Sequence, residues 1–144
     1  MTASGLLGDL LIGIDHVAIC LAAPDPSVWS RLLGLPVHGS ERLSEQLTEV
    51  AFLDLPGNSP PSIELVSPLE GNQGLARFLE KRGEGLHHIA FAVKDVRAAL
   101  ERLRQAGVAL IDQQPRPGAH GHLVAFLHPR AANGVLVELV EKTE

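Results

Sequence analysis

What this chain has little of already narrows it. Cys20 is its single cysteine, so no disulfide can close within its 144 residues, which fits a reducing compartment. Basic residues are sparse: 12 Lys and Arg stand against 17 Asp and Glu, a formal net charge of −5. Proteins that bind a phosphate backbone do so through clustered cations, and nucleic acid is therefore not an expected partner. Long apolar runs are missing too. The stretch Val17 to Ala23 falls far short of the roughly 18 residues a membrane span needs, so no membrane helix is expected. Met1 to Ile14 holds no Lys or Arg and does hold Asp9, unlike the charged start of a secretory signal, which gives a cytoplasmic expectation. What remains is a 15.4 kDa chain, 45% hydrophobic, of the size and composition of one globular domain with its own core.

The chain repeats itself. Gly13-Ile14-Asp15-His16-Val17-Ala18-Ile19 matches Gly85-Leu86-His87-His88-Ile89-Ala90-Phe91 at an offset of 72. Val50-Ala51-Phe52-Leu53 matches Val124-Ala125-Phe126-Leu127, and Ile63-Glu64-Leu65-Val66 matches Val137-Glu138-Leu139-Val140, both at an offset of 74. Three matches in one order at nearly constant spacing divide the chain into related halves, about 13–68 and 85–142. Each half reads as a strand (16–21, 88–93), a helix, then strand-like runs (50–55 and 62–66; 123–127 and 135–140). Asp25 is placed to cap the first helix, with Val28, Trp29, Leu32 and Leu33 inward and Gly34 at its end; Asp95 caps the second, with Val96, Leu100 and Leu103 inward. Residues 72–82 carry Leu75, Phe78 and Leu79 at helical spacing and form a linker helix. The expectation is an α+β class and one domain built of two βαβββ modules.

Strand side chains alternate faces, so His16 shares a face with Ala18 and Cys20, and His88 with Ala90 and Ala92. In both strands a histidine and small residues lie on one face and bulky residues on the other. Glu64 and Glu138 sit at matching positions of later strands. A buried carboxylate is costly unless paired or bound to a metal, and two imidazoles with two carboxylates suit a divalent first-row ion. Taken singly, each of these residues reads as a satisfied core histidine or a solvated carboxylate; their repetition points to one metal centre held by His16, Glu64, His88 and Glu138. The other histidines fit lesser roles: His87 structural or solvent-facing, His38 in a loop, and His120, His122 and His128 flanking a Gly/Pro-rich loop that could close over a ligand. Cys20 reads as a small buried hydrophobe.

These segments, with Ser67-Pro68-Leu69, Lys81-Arg82-Gly83-Glu84, Gly118-Ala119-His120-Gly121, His128-Pro129 and Gly134-Val135-Leu136, resemble the vicinal oxygen chelate superfamily over nearly the whole chain after residue 12. Within it they are similar to methylmalonyl-CoA epimerases. The resemblance implies a curved mixed sheet around the metal site, with His16, Glu64, His88 and Glu138 as ligands of one divalent ion: Co²⁺ or Mn²⁺ first, with Zn²⁺, Ni²⁺ or Mg²⁺ as alternatives. It implies an acyl-CoA substrate inverted at C2 through an enolate, with the metal on the thioester oxygen and free carboxylate and Glu138 moving the proton. A homodimer is compatible with it. Several epimerases carry Gln where this chain has Glu64, and the glyoxalase I enzymes carry Glu, so a lactoylglutathione lyase is the alternative; a metal-free binding module of the same fold is another. Some members carry a second catalytic Glu where this chain has Val50. Glu49 and Glu45 are the neighbouring carboxylates, and neither shares strand parity with Val50. Lys81, Arg82, Arg116 and Arg130 are the cations near the matching segments, read as ordinary surface charges.

Overall fold

The computed structural model of the protein describes residues 5–57 and 60–143. The chain divides into two compact units: His16–His87 is one, and the chain up to Asp15 together with that from His88 onward is the other. Strand β1 (Leu11–Cys20) passes from the second of these into the first at His16.

The His16–His87 unit continues with α1 (Ser27–Leu33), β2 (Ser40–Leu43), β3 (Thr48–Leu53), β4 (Ser62–Pro68) and α2 (Gln73–Arg82). Its strands lie in the order β2-β3-β4-β1, with β1 and β4 parallel and the other pairs antiparallel. Alternation sends Ile19, Leu21, Ala51, Leu53 and Leu65 to one face, where they form a buried cluster with Trp29 of α1 packed against it. The rest of α1 departs from expectation. Val28 and Leu32 are 70% and 67% exposed, and Leu33 is exposed as well. A two-turn helix offers a short contact stripe, and the Trp29 indole takes it. The helix starts one residue later than expected: Pro26 is its N-cap, while Asp25 accepts a hydrogen bond from the Ser27 N–H at 3.0 Å.

The other unit holds β5 (Gly85–Val93) from His88 on, α3 (Val96–Gln105), β6 (Arg116–Pro117), β7 (Leu123–Leu127) and β8 (Val137–Glu141). The strand order is β5-β8-β7-β6, again with the first pair parallel and the rest antiparallel. Asp95 caps α3 by accepting from the Ala98 N–H at 3.0 Å. Val96, Ala99, Leu100 and Leu103 then bury against Val93, Ala125, Leu127, Val137 and Leu139, joined by Leu10 from the N-terminal segment.

Both halves therefore run strand, helix, strand, strand, strand, in the α+β pattern the repeat implied. The third element of each, β2 and β6, is a short edge strand that hydrophobic patterning cannot show: Ser-Glu-Arg-Leu and Arg-Pro contain almost no apolar run. Boundaries also move. β1 begins at Leu11 rather than His16, β3 spans Thr48–Leu53 rather than 50–55, and β8 begins at Val137 rather than 135. The late start of β8 follows from the 3₁₀ turn Pro129–Ala132 and the left-handed backbone of Asn133 and Gly134 before it.

Candidate metal centre

In the His16–His87 unit, register fixes which side chains share the face opposite the Trp29 cluster. Ala18 of β1 lies beside Glu64 of β4, Phe52 of β3 lies beside Glu64 on the other side, and Val50 lies beside Val66. His16, Ala18, Cys20, Val50, Phe52, Glu64 and Val66 thus share one face. His16 and Glu64 are 4% and 8% exposed, and His16 Nδ1 stands 3.1 Å from Glu64 Oε2.

The second unit builds the same arrangement from the matching residues. Ala90 lies beside Glu138, Phe126 beside Glu138 on the other side, and Val124 beside Val140. His88 and Glu138 are both 6% exposed, with His88 Nε2 at 3.1 Å from Glu138 Oε1. The Phe126 ring meets the His88 imidazole edge-on, 5.3 Å between centroids, and limits its rotation. Ala18, Ala90 and Ala92 are buried on these faces.

The donor set fits a divalent ion. First-row ions hold nitrogen and oxygen ligands at about 2.0–2.2 Å, so two neighbouring ligands of one ion lie about 3 Å apart, which is the separation found in each pair. In each unit the buried carboxylate has an imidazole as its neighbour, a pairing that a dication could complete.

Neighbouring groups sort clearly. Asp15 is buried and pairs with Lys142 Nζ at 2.7 Å, tying β1 to the chain after β8. Cys20 is fully buried; burial first, and then the Glu84 charge, push its thiol up to about 11, so it is protonated at neutral pH and serves as a small apolar group, as the sequence suggested. Glu49 lies on the opposite face from Val50, paired with Arg42 Nε at 3.9 Å, and Glu45 is exposed in the turn before β3. Sequence reading missed Glu41. It lies directly across β2 and β3 from Val50, so it shares the face of His16 and Glu64. Only the pairing of the short strand β2, which patterning does not reveal, could have found it.

The remaining histidines have local roles. His38 pairs with Asp54, and the His87 ring packs edge-on to Phe78. His128 Nδ1 accepts from the Arg130 N–H and caps the turn that follows. His122 Nδ1 accepts from the Thr143 N–H at 3.0 Å, with the His120 ring 5.9 Å from its own. Their loop is pressed onto the sheet at Gly118, where a Cβ would stand 2.6 Å from Val124 Cγ1.

The profile of the Glyoxalase/Bleomycin resistance protein/Dioxygenase superfamily matches residues 15–126. The chain belongs to this superfamily. Among the described residues, eight strands and three α-helices form the vicinal oxygen chelate fold, found in the structure of methylmalonyl-CoA epimerase from Mycobacterium tuberculosis at 36% identity and a TM-score of 0.88, covering 100% of this chain and 94% of that one. A variant of the Streptomyces coelicolor methylmalonyl-CoA epimerase in complex with 2-nitronate-propionyl-CoA matches at 33% identity and a TM-score of 0.84, over 93% of this chain and 99% of that one. The ethylmalonyl-CoA/methylmalonyl-CoA epimerase of Cereibacter sphaeroides is 39% identical over 132 residues, 88% of this chain and 95% of that protein. Among the described residues, no helix of this superfamily member is long and apolar enough to cross a membrane.

Proposed function

We propose that the chain is a metal-dependent epimerase acting at C2 of methylmalonyl-CoA, in the cytoplasm, with its two repeats working as a single domain. The observation that carries this reading is the duplicated buried His–Glu pair at 3.1 Å, within a chain similar to methylmalonyl-CoA epimerases over most of its length. His16, Glu64, His88 and Glu138 would together hold one divalent ion, Co²⁺ or Mn²⁺ fitting the mixed nitrogen and oxygen donors. Such an ion, when bound, supplies a Lewis acid for the oxyanion that develops as the thioester enolises.

The chain's own residues do the rest. The C2 proton passes to the Glu138 carboxylate while the C–H electron pair delocalises into the thioester, and return of a proton to the opposite face of C2 completes the inversion. Glu41, on the His16 and Glu64 face, is the carboxylate we assign to that second face. The burial around both pairs excludes water.

Deuterium exchange at C2 of methylmalonyl-CoA in D₂O, followed by NMR, tests the reading. Metal-loaded protein should exchange the proton with loss of stereochemistry, and metal-free protein should not. Glu41→Gln should slow epimerisation more than it slows exchange, because only one face loses its proton carrier. Absence of exchange by metal-loaded protein would overturn the epimerase. One feature favours a second reading: Glu64 is a carboxylate, as in glyoxalase I enzymes, where several epimerases have an amide. Efficient lactoylglutathione formation from methylglyoxal and glutathione would move that chemistry to the front.

A further inference from the structure

Four cations near the superfamily segments are alike in sequence but not in the structure: Lys81, Arg82 and Arg130 are exposed, and Arg116 is half-buried. Among the described residues, Arg116 is the one Lys or Arg within strands β5 to β8. Register gives it a defined face. Arg116 lies directly across from Val124, Val124 from Val140, and residues paired across antiparallel strands share a face. Val140 lies two residues from Glu138, so Arg116 is on the face that carries His88 and Glu138.

The side chain is also held in place. Its guanidinium carbon stands 5.6 Å from the centroid of Phe126, the ring that meets His88 edge-on. Its Nε is 3.5 Å from Asp112 Oδ1. Asp112 is itself tied down twice: Oδ2 accepts from the Phe126 N–H at 2.8 Å, and the Asp112 N–H donates to the Phe126 carbonyl at 3.1 Å. Asp112 thus stands at ion-pair distance from the inner edge of the guanidinium without a hydrogen bond to Nε, and among the described residues no hydrogen bond uses the two terminal amino groups. A cation held over an aromatic ring beside a carboxylate, with its fork of donors left over, is the arrangement that binds an oxyanion by two parallel hydrogen bonds.

We propose that Arg116 binds an oxyanion of the substrate, either the carboxylate on the reacting carbon or a phosphate of the coenzyme A carrier. The assignment rests on the acyl-CoA reading above and gives that reading a residue that selects for charge. In a chain of net charge −5, an oriented cation on the site face offsets general repulsion of an anionic substrate at the point where it binds.

The test compares metal-loaded wild type, Arg116→Gln and Arg116→Lys, with affinities for methylmalonyl-CoA, propionyl-CoA and free CoA measured by calorimetry and KM and kcat measured for epimerisation. Arg116→Gln should lose about 10- to 100-fold in affinity and raise KM by the same factor, the range of a hydrogen bond to a charged group, with kcat changed less. Metal content and melting temperature should be unchanged, and Arg116→Lys should recover part of the loss. A loss confined to methylmalonyl-CoA identifies the carboxylate, and an equal loss for all three ligands identifies a phosphate. Unaltered affinities, or a loss that accompanies loss of metal or of folded protein, would overturn the proposal. A wild type that binds the CoA compounds without exchanging C2 removes the epimerase and leaves Arg116 to be judged on the affinities. One that binds none of them overturns both.

Discussion

The two units follow one plan but seat their helices differently. In the unit from His88 onward, α3 buries Val96, Ala99, Leu100 and Leu103 on the sheet under an Asp95 cap. In the His16–His87 unit, α1 is two turns long and packs through Trp29, with Val28 and Leu32 in solvent. Yet the His–Glu separation is 3.1 Å in both. In each unit the helix covers one face of the strands, whereas the pair is set on the other face by strand register, Ala18 beside Glu64 and Ala90 beside Glu138. Site geometry in this fold is thus a property of pairing between strands, and helix packing is free to diverge behind it.

The most severe way to break the comparison is to remove one ligand from one half. His88→Ala should abolish metal loading and lower epimerase activity by roughly 1000-fold or more, the scale of a lost metal contribution, while circular dichroism stays near wild type. His16→Ala should do the same. If each pair held its own ion, either variant would keep half of the metal, and quantitative metal analysis of the two proteins decides between one shared centre and two.

Next in size is the difference in packing. Leu100→Ala removes a side chain 1% exposed and should cost about 2–5 kcal/mol in denaturant unfolding. Leu32→Ala, at an equally apolar position of α1, should stay within about 0.5 kcal/mol. A large cost at Leu32 would mean that α1 is covered in solution by something absent from an isolated chain.

How much of this was legible in the sequence follows the same division. The repeat revealed the strand-borne pairs because histidine and glutamate recur at fixed spacing against small residues, and alternation then assigned their faces. The short edge strands β2 and β6 were invisible, since their residues carry no apolar period, and with them went Glu41 and Arg116. Their relation to the site is a matter of which residue lies across from Val50 or Val124. The apolar spacing of α1 read as a buried helix because amphipathic pattern reports what a helix could bury, not whether it is long enough to do so.

A smaller effect is expected at Gly118, whose backbone lies against Val124 on the site face. Gly118→Ala would place a methyl 2.6 Å from Val124 Cγ1, a branched side chain with little freedom to yield, and should cost about 1–3 kcal/mol. Gly118→Ala combined with Val124→Ala should recover part of that cost if the contact is the cause. Additive losses in the double variant would place the effect in the loop backbone instead.

The smallest difference between the halves is Cys20, whose counterpart 72 residues on is Ala92. Burial raises the thiol to about 11 from 9.0, so the folded protein holds the proton more tightly than the unfolded chain does. By linkage, the thiol's contribution to stability is intact below pH 9 and is lost as pH rises through about 11. Cys20→Ala should therefore change neither metal loading nor stability at pH 7 by more than about 1 kcal/mol, and should flatten the alkaline end of the stability profile. Native wild-type protein should react slowly with a thiol reagent at pH 8 and quickly after denaturation. Rapid labelling of the native protein would show that the His16 face opens to solvent far more readily than its burial implies, and that the two halves differ in dynamics as well as in packing.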